Sequence, residues 1–508
     1  MADNLIDELI HDSEHPHLGG NRLEGEPLTY SVDSWKFLIN KFNIKSVLDL
    51  GSGVGHNAKW FADNGIKTIA VEGLQQNVKN ALIPTIHHDL TKGKIETESV
   101  DLVICTEVVE HIAEEYLDNL LESLSKGTYI LMTHGVPGQL GYHHVNCQKS
   151  DYWIKHLEKK GYILLENETE IIRNLSTKEG ARFLADTGMV FRKKTNIKEI
   201  ANMFWHGELS KLETMCITSF VKNGFDVKLW SYTDLEVEGA ESCDARLILP
   251  EESLTKYKQQ HYSDTANDES YSSIAVFSDV FRYNVIHKIG GWWFDCDCFC
   301  LKDSEYYTEL RKDRVVVGGL QDSTTVSVNS GVFYSTKEMA GVMVDELNIL
   351  LNQYEGNFPK WGIVGPGFIS NFIQNHKLYN GVVGLDKFYA IDNFEMRFYV
   401  DSDLKQNAKS IIKNSLLTHI WDSQLKYLID KNEFPKDSLL EEMYNGLYEN
   451  NIDLDIDRTN RSNHILLRYL RISEIYDKLN KLISIEDMIR HIRYNLSDVD
   501  IVKLLKGK

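Results

Sequence analysis

The chain alternates between two patterns of hydrophobic and polar residues. In residues 1–195, and again in residues 198–430, short apolar runs suited to strands alternate with segments whose apolar residues recur every three or four positions. This alternation predicts an α/β domain in each stretch, with a boundary near the polar segment FRKKTNIKEIAN. Residues 431–508 keep only the helical spacing, as in Ile465, Leu466 and Tyr469, and predict a helical C-terminal extension.

A glycine-rich turn follows the first clear strand. The segment IKSVLDLGSGVGHNAKWF predicts a strand at Ser46–Leu50 and a helix over about residues 56–64. A second strand, over residues 68–71, ends at Glu72. Glycines let the backbone approach a ligand with no side chain between them, and a carboxylate at this position can accept hydrogen bonds from two ribose hydroxyls. The pattern therefore predicts a nucleoside site, and a tight turn without a ligand is the plainer alternative.

The acidic residues around this turn resemble those of class I S-adenosylmethionine-dependent methyltransferases. The motif D-x-G-x-G-x-G spans residues 49–55, HHDL follows, and VDLVICTEVVEHI spans residues 100–112. The resemblance covers about residues 30–190 and implies a Rossmann-like domain that binds S-adenosylmethionine. A dinucleotide-dependent dehydrogenase is the alternative, although its fingerprint lacks the aspartate before the first glycine and the EVVEH strand end.

The same resemblance implies a role for each matching residue. In that family the glycine turn holds the methionine end of the cofactor, the acid after the second strand holds the ribose, and an aspartate after the third strand reaches the adenine amine. Glu72 and Asp89 match the last two roles, and Asp49 and Glu107 flank the pocket. The implied cofactor-binding residues are Asp49, Gly51, Gly53, Gly55, Glu72, Asp89 and Glu107.

A histidine-rich segment, THGVPGQLGYHHVNCQKSDYW, follows the last strands of the first block. It resembles the acceptor loop of small-molecule and sugar O-methyltransferases. A hydroxyl loses its proton as it attacks the methyl group, and an imidazole is a suitable base near neutral pH. His143 and His144 are the first candidates for this catalytic base, and His111 follows them. The alternative is that these histidines only cap or pack the loop.

The second block contains IGGWWFDCDCFC, a segment that permits two kinds of metal site. Alternation along an extended strand would place Asp295 and Asp297 on one face and the three cysteines on the other. Carboxylates suit Mg²⁺ or Mn²⁺ bridging the phosphates of a sugar nucleotide. A thiolate site of Cys296, Cys298 and Cys300 would need further ligands, and no second cysteine pair exists in the sequence. Buried free cysteines are the better interpretation.

The surrounding sequence, SDVFRYNVIHKIGGWWFDCDC, resembles the sugar-binding region of GT-A glycosyltransferases of family 32 and the large-clostridial-toxin type. A helix is predicted over about residues 273–288, before the Gly-Gly turn. The segments MFWHG, VNSGVFYST, IVGPGF and LLTHIWDSQ match the same family in order, and the resemblance covers about residues 198–425. Phe294, Cys296 and His206 depart from the residues typical of these positions.

This second resemblance implies a donor site with a metal ion. Arg282 and Asp279 would contact the sugar and phosphates, and Asp295 and Asp297 would bind the nucleotide and Mn²⁺ or Mg²⁺. The implied nucleotide-sugar-binding residues are Trp205, Asp279, Arg282, Trp293, Asp295, Asp297, His419 and Trp421. Such enzymes retain the anomeric configuration, and Arg282 is the implied catalytic residue because it would hold the diphosphate that accepts the proton.

Composition narrows the range of partners and compartments. The net charge is −20, from 75 acidic against 55 basic residues, and this balance argues against a general nucleic-acid binder. Seven cysteines are spread over 508 residues and do not form a disulfide framework. No apolar run has the length of a membrane span, and the acidic start lacks a signal peptide, so we expect a soluble cytoplasmic protein.

Together these patterns predict a bifunctional enzyme of surface glycan synthesis. A methyltransferase domain (residues 1–195) would use S-adenosylmethionine, and a glycosyltransferase domain (residues 198–430) would move sugar from a UDP- or GDP-sugar to a saccharide acceptor. The C-terminal helices could join copies into a homo-oligomer. Two alternatives are a glycosyltransferase with a non-catalytic methyltransferase-like binding module and a toxin-like enzyme that glycosylates a protein.

Overall fold

The computed structural model describes residues 10–12, 14–195, 197–259, 271–272, 274–321, 325–355, 357–358, 362–446 and 448. These residues fall into two compact units, which divide between Ile197 and Lys198. Within the predicted C-terminal extension, Leu439–Tyr444 is a helix. The rest of that extension, from residue 449 onwards, lies outside the described residues, and so does the predicted oligomerisation through it.

The first unit is an α/β domain built on one seven-stranded sheet. Its strands are β1 (Ile10–His11), β2 (Gly19–Asn21), β3 (Ser46–Leu50), β4 (Lys67–Glu72), β5 (Thr85–His87), β6 (Val100–Cys105), β7 (Gly127–Met132), β8 (Tyr162–Leu164) and β9 (Met189–Lys193). Its helices are α1 (Val32–Phe42), α2 (His56–Asp63), α3 (Gln75–Lys79), α4 (Leu117–Leu124), α5 (Ser150–Lys159), α6 (Glu166–Glu179) and α7 (Arg182–Thr187). Short 3₁₀ turns lie at Pro27–Thr29, Leu90–Lys92, Val109–His111 and Glu114–Tyr116.

The strand order of this sheet creates a cleft at one edge. The order is β5-β4-β3-β6-β7-β9-β8, in which β5 to β7 run parallel and β9 is antiparallel to both of its neighbours. The central strands read as continuous apolar runs because helices cover both faces, and Val47, Leu48 and Leu50 are fully buried. From β3 the chain adds β4 and β5 on one side and then β6 and β7 on the other. Ligands bind beyond the carboxyl ends of the strands at such a switch point.

The local predictions for this region agree with the structure. The strand at Ser46–Leu50 is as predicted, and the following helix ends at Asp63, one residue before its predicted end. The second strand is longer by one residue at each end. These two strands and the helix form from local patterns, so their boundaries follow from the sequence.

The second unit has a mixed seven-stranded sheet and two smaller sheets. Its strands are β10 (Ile200–Phe204), β11 (Asp226–Ser231), β12 (Glu241–Asp244), β13 (Lys258–Gln259), β14 (Tyr271–Ser272), β15 (Trp292–Phe294), β16 (Cys298–Cys300), β17 (Val315–Gln321), β18 (Val326–Ser335), β19 (Asn357–Phe358), β20 (Val382–Val383) and β21 (Leu417–His419). Its helices are α8 (Lys211–Lys222), α9 (Ser253–Lys256), α10 (Ile274–Ile289), α11 (Glu305–Thr308), α12 (Lys337–Gln353), α13 (Pro366–His376), α14 (Leu385–Phe388), α15 (Arg397–Val400), α16 (Lys405–Ile412), α17 (Asp422–Leu425) and α18 (Leu439–Tyr444). Short 3₁₀ turns lie at Ala245–Leu247, Glu309–Lys312, Tyr379–Gly381 and Ser402–Leu404.

The main sheet of this unit has the order β12-β11-β10-β15-β18-β17-β20. Strands β10, β11, β12 and β15 are parallel, whereas β18 is antiparallel to both β15 and β17. Strand β16 leaves this sheet and pairs antiparallel with β21. The long helix α10 is buried on most sides, and it packs its aromatic residues Phe277 and Phe281 against Phe204.

One sequence-based expectation about this region is wrong. Asp295 and Asp297 do not share the face of an extended strand, because β15 ends at Phe294 and β16 begins at Cys298. The residues between form a turn in which the Cys298 N–H donates to the Asp295 carbonyl at 3.0 Å. The turn forms because β15 pairs with β18 whereas β16 pairs with β21, so the chain must pass from one sheet to another.

None of the helices in the part of the chain that the structure describes has the length and apolar character needed to cross a lipid bilayer.

Candidate functional site

A cavity of about 770 Å³ opens at the carboxyl edge of the first sheet. Its walls come from the glycine turn after β3, the ends of β4 and β6, and residues 17–22 and 139–144. Of the predicted cofactor residues, all but Gly55 line this cavity, and His111 and His144 do as well. The topology thus brings residues from seven separate stretches of sequence to one place.

The glycine turn is held against the end of β4. The N–H groups of Gly51 and Ser52 both donate to the Val71 carbonyl at 2.9 Å, and the Gly53 N–H donates to Glu72 Oε2 at 2.8 Å. Gly51 has a φ of +78°, and a Cβ there would overlap Val108 Cγ2. Glycine is therefore required at this position for two reasons, its left-handed backbone and its close packing.

Glu72 is a buried carboxylate held by protein donors. Its Oε1 accepts from the Leu74 N–H at 2.8 Å and from Asn77 Nδ2 at 3.3 Å, in addition to the bond that Oε2 accepts from Gly53. Burial raises the pKa of Glu72, and these hydrogen bonds oppose the rise. A carboxylate can accept about four hydrogen bonds, so Glu72 keeps capacity for a ligand hydroxyl.

Asp89 and Asp49 lie on the two sides of this acid. Asp89 accepts from the N–H and hydroxyl of Thr91 at 2.9 and 2.8 Å, and its Oδ2 lies 3.1 Å from His17 Nε2. Although burial opposes it, these contacts lower the pKa of Asp89. Asp49 accepts from the Ala58 N–H at 3.1 Å, and burial raises its pKa to about 7. The sequence-based assignment omitted His17, because it lies 72 residues before Asp89 and motif spacing does not connect the two.

Glu107, His111 and His144 line the cavity, and Glu110 is buried beside the two histidines. Glu107 has a φ of +54° and accepts from the Thr133 hydroxyl at 2.8 Å, and burial raises its pKa to about 7. Glu110 is completely buried, and beyond its neighbour Glu107 its carboxylate oxygens have no hydrogen-bond partner among the described residues. The rings of His111 and His144 meet edge to face with centroids 5.1 Å apart.

Three of these side chains could hold a metal ion. One ligand atom from each of Glu110, His111 and His144 lies within 4.8 Å of the others. Burial, and then the charge of a protonated His144, lower the pKa of His111 to about 4, so its ring is neutral near pH 7. His143, the other predicted base, has a φ of +48° and does not belong to this group. The segment EVVEH contains Glu110, but its spacing alone does not show that His144 packs against it.

The second unit gathers the predicted donor-site residues around one arginine. Arg282 Nη2 lies 3.1 Å from Asp279 Oδ1, one helical turn away, and 3.3 Å from Asp295 Oδ1. Arg282 Nη1 donates to the Ser330 carbonyl, and the guanidinium lies 5.1 Å from the ring centroid of Trp293. Trp293 Nε1 donates to Asp295 Oδ1 at 2.8 Å. These bonds fix the position of the first aspartate of the D-x-D motif.

Two glycines make room for these carboxylates. A Cβ added at Gly365 would lie 2.6 Å from Asp279 Oδ1, and one at Gly331 would lie 2.7 Å from Asp295 Oδ2. Burial raises the pKa of Asp279 to about 6, although Arg282 opposes this. The segments IVGPGF and VNSGVFYST, matched only by resemblance, therefore pack directly on the acids of this site.

The second aspartate of the motif is paired with the late histidine. Asp297 Oδ1 lies 2.9 Å from His419 Nε2, and Asp297 Oδ2 accepts from the Asp422 N–H at 2.9 Å. His419 Nε2 is 3.9 Å from Asp295 Oδ2, and its ring meets Trp421 edge to face at 4.1 Å. Burial opposes ionisation of both partners, yet their mutual attraction lowers the pKa of Asp297 and raises that of His419.

Trp205 and Lys431 lie on one side of the Asp297–His419 pair. The sequence motifs did not indicate Lys431. Trp205 directly follows β10, is half-buried, and donates from Nε1 to the Glu208 carbonyl at 3.0 Å. Lys431 Nζ lies 5.4 Å from its ring centroid and forms ion pairs with Glu213 at 2.9 Å and Asp422 at 3.2 Å. Because the Asp422 N–H donates to Asp297, Lys431 belongs to the same network.

The cysteines of the motif are free and buried, as the sequence interpretation expected. Cys296 Sγ donates to the Phe204 carbonyl at 3.4 Å, and Cys300 Sγ donates to the Lys302 carbonyl at 3.2 Å. Cys298 differs, because its Sγ lies within 4.8 Å of ligand atoms of Asp297 and His419. The described residues therefore do not form a site of three thiolates. One thiol, that of Cys298, lies beside Asp297 and His419.

Comparison with known proteins finds matches within the first unit. Residues 33–188 match a family model described as a methyltransferase domain. The ubiquinone biosynthesis O-methyltransferases of Rickettsia typhi and Rickettsia bellii are 27% and 29% identical to this chain over 124 residues, which is 22% of the chain and 50% and 52% of those proteins. The chain thus spans about half the length of the curated relatives it matches.

Solved structures that align with part of this chain include TehB from Haemophilus influenzae, with 17% identity over 32% of this chain and 62% of TehB, at a TM-score of 0.24. Magnesium protoporphyrin IX methyltransferase from Synechocystis PCC 6803, solved with bound S-adenosylmethionine, is 21% identical over 26% of this chain and 68% of that enzyme, at a TM-score of 0.23. Residues 33–188 thus match a methyltransferase domain, and the strand order of the first unit is Rossmann-like, as predicted.

The packing of Gly51 on Val108 leads to a test with a matched control. Gly51→Ala adds both left-handed strain and a steric overlap, whereas Gly65→Ala adds only the strain, because Gly65 has the same φ of +78° and no atom lies within 4 Å of the point that its Cβ would occupy. We expect Gly51→Ala to lower the free energy of unfolding in urea by about 1–3 kcal/mol more than Gly65→Ala, and to weaken S-adenosylmethionine binding measured by calorimetry. Val108→Ala should restore part of both losses. Equal effects of the two glycine variants would contradict this assignment.

The raised pKa of Asp49 leads to a second test. The folded-state pKa of Asp49, about 7, exceeds the ordinary value of 3.8. The stability that protonated Asp49 contributes is therefore lost as the pH rises between these two values. Asp49→Asn removes that loss, and we expect the variant's stability relative to the wild type to grow between pH 5 and pH 8 by at most roughly 3 kcal/mol. Urea unfolding at both pH values measures it, with the exposed Asp33→Asn as the control. A difference in unfolding free energy between Asp49→Asn and the wild type that is the same at both pH values would refute the raised pKa of Asp49.

Proposed function

We propose that the first unit transfers a methyl group from S-adenosylmethionine to an acceptor hydroxyl placed at Glu110, His111 and His144. The observation that carries this proposal is the edge-to-face contact of His111 and His144 in the wall of the cavity, with the buried Glu110 beside them. An oxygen acceptor also agrees with the relatives, which are named O-methyltransferases. The wall of the cavity near Leu140, which is 94% exposed, offers an apolar rim for such a molecule.

The chemistry requires removal of one proton. The acceptor oxygen forms a bond to the methyl carbon, the bond from that carbon to the sulfonium sulfur breaks, and S-adenosylhomocysteine leaves. Neutral imidazoles can accept the hydroxyl proton, and His144 and His111 take this role in the proposal, whereas His143 is not among the residues that line the cavity.

A variant series tests this proposal. The full-length protein is incubated with S-adenosylmethionine and a panel of monosaccharides, nucleotide sugars and catechols, and S-adenosylhomocysteine is measured. We expect turnover with at least one acceptor, and a fall of at least about 100-fold in Glu110→Gln and His144→Gln with little change in cofactor affinity. His156→Gln, on helix α5, is the control. Full activity in both site variants would refute the placement, and absence of cofactor turnover on every acceptor would favour a non-catalytic binding module.

We propose as a second function that the other unit transfers a sugar from a UDP- or GDP-sugar to a saccharide acceptor. The supporting observation is the network that joins Arg282 to Asp279 and Asp295, beside the Asp297–His419 pair. Arg282 is 4% exposed and would hold the leaving diphosphate, which takes the acceptor's proton as the glycosidic bond forms. Trp205 would stack on the base.

The residues at this site fit a divalent cation. His419 is buried, and its Nδ1 has no hydrogen-bond partner among the described residues. Asp295 and Asp297 keep side-chain exposures of 30% and 16%, so their carboxylates can reach a bound ligand. Mn²⁺ or Mg²⁺ would be held by these two aspartates with His419 beside them, and would neutralise charge on the diphosphate.

A donor screen tests the second function. The full-length protein is incubated with Mn²⁺ and UDP-, GDP- and dTDP-sugars, and release of the nucleotide is measured. We expect hydrolysis or transfer from one donor, reduced at least about 100-fold in Asp295→Asn/Asp297→Asn. Asp345→Asn, exposed on helix α12, should retain full activity. Release that persists in the double variant would refute the role of the motif, and transfer to protein acceptors alone would favour the toxin-like alternative.

Both activities can belong to one biosynthetic step. We propose that they act on the same surface glycan, because covalent linkage raises the local concentration of each product near the other site. A transferred sugar brings new hydroxyls, and methylation of one of them removes a position at which the next sugar could attach. Methyl transfer would then decorate or cap the glycan.

A further inference from the structure

One wall of the cofactor cavity is formed by residues 14–26, which we call the N-terminal strap. The strap contains β2 and lies before residue 33, where the match to the methyltransferase family model begins. Residues 17–22, Gly25 and Glu26 of the strap line the cavity. This wall is therefore supplied by a part of the chain that the family model does not include.

The strap binds one acid of the cavity directly. His17 Nε2 lies 3.2 Å from Oδ1 and 3.1 Å from Oδ2 of Asp89, so one ring N–H reaches both carboxylate oxygens. The N–H and hydroxyl of Thr91 donate to Oδ1 only. Among the hydrogen bonds of the described residues, Oδ2 accepts only from His17, and the Asp89 side chain is 14% exposed. A lone pair of Oδ2 thus remains for a ligand.

The strap also reaches Glu72, through one intermediate residue. Asn77 Nδ2 donates to Asn21 Oδ1 at 2.7 Å and to Glu72 Oε1 at 3.3 Å. Asn21 Nδ2 donates in return to Asn77 Oδ1 at 3.3 Å, and Asn77 is fully buried. This reciprocal pair of amides fixes β2 beside the end of β4, so the position of His17 is set by a second, independent contact of the strap.

Close packing holds the strap against the elements that surround the glycine turn. A Cβ added at Gly73 would lie 2.6 Å from Leu18 Cδ2, and one added at Gly25 would lie 2.7 Å from His56 Cδ2. His56 Nε2 lies 3.1 Å from the Leu23 carbonyl, so the strap is also bonded to the start of α2. The strap is therefore docked on both sides of the cofactor turn.

We propose that His17 is a positioning residue for the base of the cofactor, because it holds the Asp89 carboxylate that accepts from the exocyclic amine. Only the identity of the nucleoside, that of S-adenosylmethionine, rests on the proposed methyl transfer. An ionised carboxylate accepts hydrogen bonds and cannot donate them, so Asp89 favours a base with an amine over one with a carbonyl at the same place.

The contact with His17 strengthens this discrimination. A carboxylate held at both oxygens cannot turn away from a mismatched carbonyl, and a site built to pair with a donor rejects an analogue that lacks it. Without His17, Asp89 would be held only by Thr91 through Oδ1. The carboxylate could then rotate, and the two kinds of base would be bound with more similar affinities.

Calorimetry with two probes tests this role without any methyl acceptor. The full-length protein is titrated with S-adenosylhomocysteine and with S-inosylhomocysteine, in which a carbonyl replaces the adenine amine. We expect His17→Ala to reduce the preference for the adenosyl probe at least about fivefold. His17→Gln should restore most of that preference, because its amide can donate to Asp89 as the imidazole does.

His15→Ala is the matched control, because His15 lies on the same strap, pairs with Asp12 at 3.1 Å and does not line the cavity. It should keep the preference of the wild type. If His17→Ala weakens binding of both probes by the same factor, His17 has only a structural role and the proposal is overturned. A loss of preference in His15→Ala equal to that in His17→Ala would overturn it too.

Hydrogen–deuterium exchange on the unaltered protein covers the case in which His17→Ala does not fold. S-adenosylhomocysteine should protect the amides of residues 17–22 and of Thr91 more than S-inosylhomocysteine does at equal saturation. Equal protection by the two probes, or no protection of the strap, would overturn the proposal.

The acceptor screen remains separate from these measurements. An adenosyl preference that depends on His17, without turnover on any acceptor, would refute only the methyl transfer. Turnover together with an adenosyl preference that His17→Ala leaves unchanged would refute only the role of His17.

Discussion

The cost of burying carboxylates governs both sites of this protein. Moving an ionised carboxylate out of water is unfavourable unless hydrogen bonds or opposite charges replace the lost solvent. The first unit meets this cost at Glu72 with three N–H donors from Gly53, Leu74 and Asn77. The second unit meets it with cations, Arg282 for Asp279 and His419 for Asp297. Glu110 meets it in a third way, because burial and the charge of Glu107 raise its pKa well above the ordinary value and thus favour the neutral acid.

Close packing by glycine makes these arrangements possible. Gly51 lets Val108 lie against the cofactor turn, Gly365 lets Asp279 lie against the start of α13, and Gly331 lets Asp295 reach Arg282. In each case a Cβ would occupy the space of a neighbouring side chain. Asp279, which is buried, is thus shielded from water by the backbone at Gly365, and backbone packs more closely and more rigidly than flexible side chains can.

The features that follow from local sequence were predictable, and those that depend on distant pairing were not. The strand at Ser46–Leu50, the glycine turn and helix α2 arise from periodicity and turn chemistry within one short segment. By contrast, β16 pairs with β21, far along the chain, and this pairing forces the turn at Asp295 and Asp297 that the strand prediction missed. His17 beside Asp89 and His144 beside His111 are likewise long-range contacts. Motif spacing identified candidate residues, but only tertiary contacts determine their partners.

Long-range strand pairing also explains why residue type alone could not show which carboxylates and thiols of the D-x-D and C-x-C-x-C motifs lie together. A D-x-D motif suggests hard oxygen ligands, and C-x-C-x-C suggests soft sulfur ligands, so the sequence presents them as competing interpretations. Once the chain turns at Asp297 and pairs through Cys298, one carboxylate and one thiol share a face with His419, while Cys296 and Cys300 bond to backbone carbonyls. Strand register, not composition, therefore decides which of the three cysteines lies beside Asp297 and His419.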